Sequence, residues 1–237
     1  GELFASGERD IPVWTVDESY RLVQGTMTHV SASGEKPVFE MTLASGRRIK
    51  ASANHPFLTL DGWRRLDQLA VGGRLATPRR VPDPLNEQAW PESEIVMLAH
   101  LLASEGHQDN DPSHEKFIPR EVFSLPYRQV ALFVRHLWAT DGCVHAGSGQ
   151  ARIHYASTSR QLIDGLQLLL QRLGIQSRIQ ITRKAGHRDG FHLHITGIEN
   201  QERFVTEVGV HGARGETAEV VRQFLPTLRG NTNVDTV

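Results

Sequence analysis

Two groups of residues in this 237-residue sequence have the types and spacing of reactive sites. The first is Ser52-Ala53-Asn54-His55, which puts a hydroxyl, a carboxamide and an imidazole within four residues, ahead of Pro56-Phe57 and Gly62-Trp63. An imidazole can give a proton to the nitrogen that departs when an amide is rearranged to an ester. Hydroxyl and amide neighbours can donate to the strained carbonyl oxygen. A lone His-Pro reads equally as a turn, so the motif needs its context. The second group is a pair of acids, Glu105 and Asp141, each followed by glycine and each closing an apolar stretch. The stretches are Leu98-Ala99-His100-Leu101-Leu102-Ala103-Ser104-Glu105-Gly106 and Val134-Arg135-His136-Leu137-Trp138-Ala139-Thr140-Asp141-Gly142. An acid and a glycine after a helix are common, so each is weak alone.

The elements that must position these residues change character along the chain. Up to residue 80 the sequence reads as short strands: Val13–Val16, Thr26–Val30, Val38–Leu43 and Arg48–Ala51, separated by Asp-Glu, Ser-Gly and Asp-Gly turns. No helical period appears before Trp63. Pro78, Pro82, Pro84 and Pro91 then mark a stiff connector. Beyond it, Pro91 opens a helix with Ile95, Leu98, Ala99 and Leu102 on one face. A second helix covers about Tyr127 to Thr140, and a third runs from Ser159 to Leu173 with Gly174 at its end. Strands are expected over Ala151–Ser157, Ser177–Thr182 and Phe191–Thr196, and a last helix over Asn200–Val208. Strand alternation puts Arg152, His154, Arg178, Gln180, Thr182, His192, His194 and Thr196 on one face, opposite Ile153, Tyr155, Ile179, Ile181, Leu193 and Ile195. The polar face is basic and rich in histidine, which suits duplex DNA as well as it suits water.

Charge supports a local reading rather than a global one. The net charge is −1, yet residues 83–111 hold seven acids and no Lys or Arg. Residues 147–195 hold seven Lys and Arg, two acids and four histidines. A basic patch on a neutral protein can still bind phosphates. No apolar run reaches the ~20 residues of a membrane span, and the N-terminus lacks the pattern of a signal peptide. The single Cys143 excludes an internal disulfide and a cysteine zinc cluster, and it suits the reducing cytoplasm.

In their order, these motifs resemble those of inteins. Ser52-x-x-His55, Gly62-Trp63 and the turn Val71-Gly72-Gly73-Arg74 are similar to the second conserved block of inteins and of the wider Hint family. That block carries Thr where Ser52 stands and Gly-Asp where Gly72-Gly73 stands. The two acid-ended stretches resemble the LAGLIDADG motifs of homing endonucleases. His114-Glu115-Lys116-Phe117-Ile118-Pro119 resembles the block between those motifs, and Leu168 to Ile175 the block after them. The nearest likeness is to inteins of bacterial replicative DNA helicases (the DnaB type), carried by Val13-Trp14, His114–Phe123, Val130–Asp141 and Ser157-Thr158-Ser159-Arg160.

The resemblance implies an all-β Hint (horseshoe-like) module plus an α+β LAGLIDADG endonuclease domain. The expected divisions are 1–80 for the Hint part, 81–90 for a connector, 91–226 for the endonuclease part and 227–237 for a return segment. It implies self-catalysed splicing with His55 as proton donor, assisted by Ser52 or Asn54, and needing no cofactor. It also implies Mg²⁺ held by Glu105 and Asp141, hard oxygen ligands suited to that ion and to phosphodiester hydrolysis. Lys116 is a candidate to act on a water near the scissile phosphate. Arg152, His154, Arg178, Gln180, Lys184, His192 and His194 are the candidate DNA contacts. The implied partners are a duplex DNA site and the flanking host segments (exteins), with the chain a monomer.

Four departures shape the expectation of activity. Glu105 is longer than the usual Asp. His100 and His136 replace the small residue in the middle of each motif. The first motif lacks almost all of the strands and helices that a full repeat places after it, so cleavage is expected to be weak or absent. The chain starts at Gly1 and ends at Val237, without the Cys or Ser and the His-Asn of splice junctions, so it is expected not to splice by itself. Two rival readings exist. A Hint self-processing domain explains 1–80 but not the acid-ended helices. A non-catalytic LAGLIDADG-fold DNA-binding protein explains 91–210 but not Ser52 to Trp63. No Gly-x-x-x-x-Gly-Lys-Ser/Thr occurs, so ATP binding is not expected.

Overall fold

The structure is a computed structural model that describes residues 2–104, 113–147 and 149–228. It opens with a short helix, α1 (Glu2–Ser6), which the sequence reading did not expect. Strands β1 (Ile11–Val16) and β2 (Leu22–Met27) form an antiparallel hairpin. The expected strand at Thr26–Val30 therefore lies earlier in the chain. Asp17 is the cause: its Oδ1 accepts from the amides of Ser19 and Arg21 at 2.8 and 2.9 Å. That tight turn puts Leu22 directly opposite Val16. Strands β3 (Val38–Thr42) and β4 (Arg48–Ser52) form a second hairpin. Strands β5 (Pro56–Thr59) and β6 (Gly62–Arg65) form a third, followed by a 3₁₀ turn at Leu66–Gln68.

These hairpins are separate two-stranded sheets, and among the described residues no horseshoe or closed sheet joins them. Among the described residues, every buried hydrophobic side chain lies at Ile95 or later. The first part of the chain is thus β-rich as expected, but it rests on its neighbour instead of on a core of its own. Trp14 Nε1 donates to the Asp83 carbonyl at 2.9 Å. The β3–β4 turn docks through Ser45, whose carbonyl accepts from the Ile179 amide at 2.8 Å and from Gln167 Nε2 at 3.2 Å. Gly46 is required there. Its φ is +82°, and a Cβ would lie 2.9 Å from the Ile179 carbonyl oxygen.

The second part is built on α2 (Glu92–Ser104), α3 (Tyr127–Asp141) and α4 (Arg160–Arg172), with β7 (Gly142–Gly147), β8 (Gln150–Ser157), β9 (Ser177–Thr182) and β10 (Gly190–Ile195). Helix α2 lies alongside α3. The Gln129 side chain pins their heads together, its Oε1 accepting from the Trp90 amide at 2.9 Å and its Nε2 donating to the Trp90 carbonyl at 2.7 Å. The four strands make one antiparallel sheet in the order β7-β8-β10-β9. Leu162, Ile163, Leu166, Leu169 and Leu170 of α4 are buried with Ile153, Tyr155, Ile179, Leu193 and Ile195 of the sheet. Ser159 caps α4, its Oγ accepting from the Leu162 amide at 3.1 Å. Arg172 is only 6% exposed, and this buried cation is paired through its two terminal nitrogens with the Phe123 and Leu125 carbonyls and with Asp83 at 2.9 Å, while its Nε is left without a partner.

The expected helix over Asn200–Val208 divides into α5 (Ile198–Arg203) and a wider π turn at Phe204–Val208. A further helix, α6 (Ala213–Phe224), follows, where no helix was expected. Between α2 and α3 the described residues form only 3₁₀ turns, at Ser113–Glu115 and Arg120–Ser124. Of the return segment expected at 227–237, residues 229–237 lie outside the described residues. No helix among those described is long and apolar enough to cross a membrane.

Candidate functional sites

The Ser52–His55 segment leaves β4 through a turn closed by the His55 amide, which donates to the Ser52 carbonyl at 3.0 Å. The following 3₁₀ turn fixes it from the other side. The Leu66 amide donates to the His55 carbonyl at 2.9 Å, and the Asp67 amide to the Ala53 carbonyl at 3.0 Å. Ser52 Oγ donates to Asn54 Oδ1 at 2.9 Å. That bond engages the serine proton and turns the Asn54 Nδ2 amide into the donor of the pair. The His55 ring meets Phe57 edge to face at 5.2 Å and is exposed. Serine, asparagine and histidine are therefore brought together on one rigid turn, with the imidazole facing solvent.

Asp141 ends α3 and is exposed. The Tyr155 hydroxyl donates to its Oδ2 at 3.4 Å. Burial first, and then the Asp141 charge, push the Tyr155 hydroxyl far above its ordinary range, so it remains a donor. Gly142, next to the acid, has a steric reason to be glycine. A Cβ there would fall 2.0 Å from the Trp138 ring and 2.5 Å from the Trp138 carbonyl oxygen. Its expected partner Glu105 lies outside the described residues. The exposed Asp141 carboxylate is a chemically fitting oxygen ligand for Mg²⁺. Lys116 is half-buried and held by its backbone at the head of α4, where Ser159 Oγ donates to its carbonyl.

The polar sheet face forms largely as read from alternation. His154 faces His194, and His194 faces Arg178 across the next ladder; His192 faces Gln180. The rings of His154 and His194 lie 5.2 Å apart, and those of His192 and His194 lie 6.2 Å apart and nearly parallel. Arg152, His154, Gln180, Thr182, His192 and His194 line one groove of about 490 Å³. Burial and then the neighbouring His194, His192 and Arg152 hold His154 below the usual histidine range. Burial and then His192 do the same to His194. His154 Nδ1 is buried with no hydrogen-bond partner. Of the apolar residues expected on the opposite face, all are buried but Ile181, which is 40% exposed at the end of β9. Thr196 falls just beyond β10. Lys184 sits in the exposed β9–β10 turn rather than on the face itself.

Three residues were missed. His145 stands on β7, opposite Arg152, and extends the polar face; the Gly-Cys-Val-His-Ala-Gly run carries too little β-branching to announce a strand. Tyr155 was read as core only. His211, before α6, joins His100 and His136, a meeting that no local pattern signals.

The LAGLIDADG-like domain model matches residues 128–209. The chain is 28% identical to a replicative DNA helicase DnaB of Synechocystis over 304 aligned positions, covering 97% of this chain and 35% of that protein. It is 29% identical to the replicative DNA helicase DnaB of Rhodothermus marinus, covering 97% and 32%. The chain thus spans about a third of the length of these relatives. Among solved structures, a DnaB intein from Synechocystis is 39% identical over 33% of this chain and 55% of that chain, with a TM-score of 0.31. The Ssp DnaB mini-intein variant M86 is 41% identical over 32% and 48%, with a TM-score of 0.30. Residues 128–209 are therefore similar to LAGLIDADG-like domains, and the chain is similar along nearly its whole length to part of the replicative DNA helicases of the DnaB type.

Proposed function

We propose that this chain is an intein segment, with a splicing half served by the Ser52–His55 turn and an endonuclease-derived half that binds duplex DNA but cleaves it weakly or not at all. The carrying observation is the joint presence of two features in one chain. One is a rigid, exposed Ser-x-Asn-His turn. The other is a single sheet whose one face is arginine- and histidine-rich.

In the splicing half, His55 gives a proton to the nitrogen leaving the scissile amide, and Asn54 Nδ2 donates to the carbonyl oxygen. The host protein and the residues that flank the junction are exteins of a replicative helicase on this reading. In the other half, Asp141 and Glu105 would hold Mg²⁺, which would activate water and stabilise the leaving oxygen during phosphodiester hydrolysis. Tyr155 keeps Asp141 oriented. The weakness of cleavage follows from one such sheet among the described residues where a full saddle uses two. The helicase relative aligns over 304 positions against a 237-residue chain, so it carries several tens of residues that this chain lacks.

The test places the chain between complete splice junctions in a host context. Ligated flanks are expected, and His55→Ala is expected to slow cleavage at the upstream junction by ~10²–10⁴-fold. Because His55 is exposed, its loss should leave the circular dichroism spectrum unchanged. Splicing that is indifferent to His55→Ala overturns the reading, and so does the absence of any junction cleavage with all segments present.

A further inference from the structure

We infer that His100, His136 and His211 form a binding site for one divalent transition-metal ion, distinct from the Asp141 carboxylate. His100 lies in α2, His136 in α3 and His211 in the turn that leads into α6. His100 Nε2 is 3.3 Å from His136 Nδ1, and His211 Nε2 is 3.0 Å from the same atom. One ligand atom from each of the three lies within 4.8 Å of the others.

Hydrogen bonding alone does not account for this arrangement. A ring nitrogen offers one in-plane position, either a lone pair or an N–H, and so satisfies one neighbour. Here two imidazole nitrogens converge on His136 Nδ1. A shared ion satisfies all three. Tetrahedral metal–nitrogen bonds of about 2.0–2.1 Å place ligand nitrogens about 3.3–3.4 Å apart, close to the two short edges observed. The third edge closes by rotation of His100 and His211, both of which are exposed. Burial, then His211, His100 and Arg135, hold His136 below the ordinary histidine range, which keeps the ring in its neutral, ligating form.

Three imidazoles with a fourth position open to solvent suit Zn²⁺, and they also take Co²⁺, Ni²⁺ or Cu²⁺; they do not suit Mg²⁺. The ion clasps the two motif helices to the head of α6. This assignment is independent of the splicing and cleavage readings.

The full chain, stripped with a chelator, is titrated with Co²⁺ while visible d–d absorption and thermal unfolding are followed. One equivalent should bind with the intense absorption of a four-coordinate ion, be displaced by Zn²⁺ and persist in excess Mg²⁺. Zn²⁺ should raise the unfolding temperature. His100→Gln, His136→Gln and His211→Gln should each remove both signals. If His136→Gln fails to fold, the two exposed positions carry the test. Absence of stoichiometric binding overturns the assignment. So does binding that survives His100→Gln and His211→Gln, or binding that is lost instead on His192→Gln.

Discussion

Replacing Arg152 and Arg178 together with glutamine should flatten the salt dependence of DNA binding without unfolding the protein. Both side chains are exposed on the polar face of the four-stranded sheet, Arg178 opposite His194 and Arg152 opposite His145. Neither is part of the buried cluster. With Lys184 in the β9–β10 turn, the proposed interface offers three permanent cations. His154 and His194 between them add little at neutral pH, because burial and neighbouring charges depress both. Neutralising three phosphates gives a slope of about −2.7 in log K against log salt, or roughly a 40-fold loss of affinity between about 50 and 200 mM salt. The double variant retains one such contact, with a slope of about −0.9 and roughly a 3- to 4-fold loss over the same range. Fluorescence anisotropy of a labelled duplex at four salt concentrations measures both slopes. Acidification should steepen the wild-type slope as His154 and His194 take up protons. A double variant with the wild-type slope, at unchanged circular dichroism, would refute the placement of DNA on this face.

Further outcomes follow from the same geometry. Gly142→Ala drives a methyl group into the Trp138 ring and should destabilise the fold by about 1–3 kcal/mol, read by urea titration; an unchanged midpoint would contradict the close approach at the end of α3. Histidines depressed in the folded state make stability depend on pH with a definite sign. As pH falls through the ordinary histidine range near ~6.5, the unfolded chain binds protons that folded His154 and His194 refuse, so stability declines until their lowered values are passed. Measured with a chelator present, His154→Gln should shallow that decline, and an identical pH profile would exclude His154 as a contributor. Asp141→Asn should leave duplex affinity at low salt nearly unchanged or slightly raised, while abolishing any residual Mg²⁺-dependent nicking; nicking by the variant at the wild-type rate would remove Asp141 from the cleavage site.

The sequence by itself determined what is written in local periodicity and turn chemistry. The α4 helix was legible because a Ser cap, six aliphatic residues at helical spacing and a terminal Gly agree. The polar sheet face was legible because alternation needs no knowledge of partners, only that the other side is buried. The Ser52–His55 turn was legible as a motif. Tertiary structure decided what depends on residues far apart in the chain. The β1–β2 register is the exception, set by the local Asp17 turn that the strand pattern did not reveal. The short strands became isolated hairpins, because their small faces bury little and Ser45–Gly46 seats one of them on α4 and β9. Strand β7 and His145 were hidden because its small residues are strand-forming only when paired with β8. The three-histidine cluster was hidden most completely. His100 and His136 sit at matching positions in two helices, but His211 reaches them only because the turn before α6 brings the chain back across α3. Proximity of that kind is a property of packing, and no spacing along the sequence encodes it.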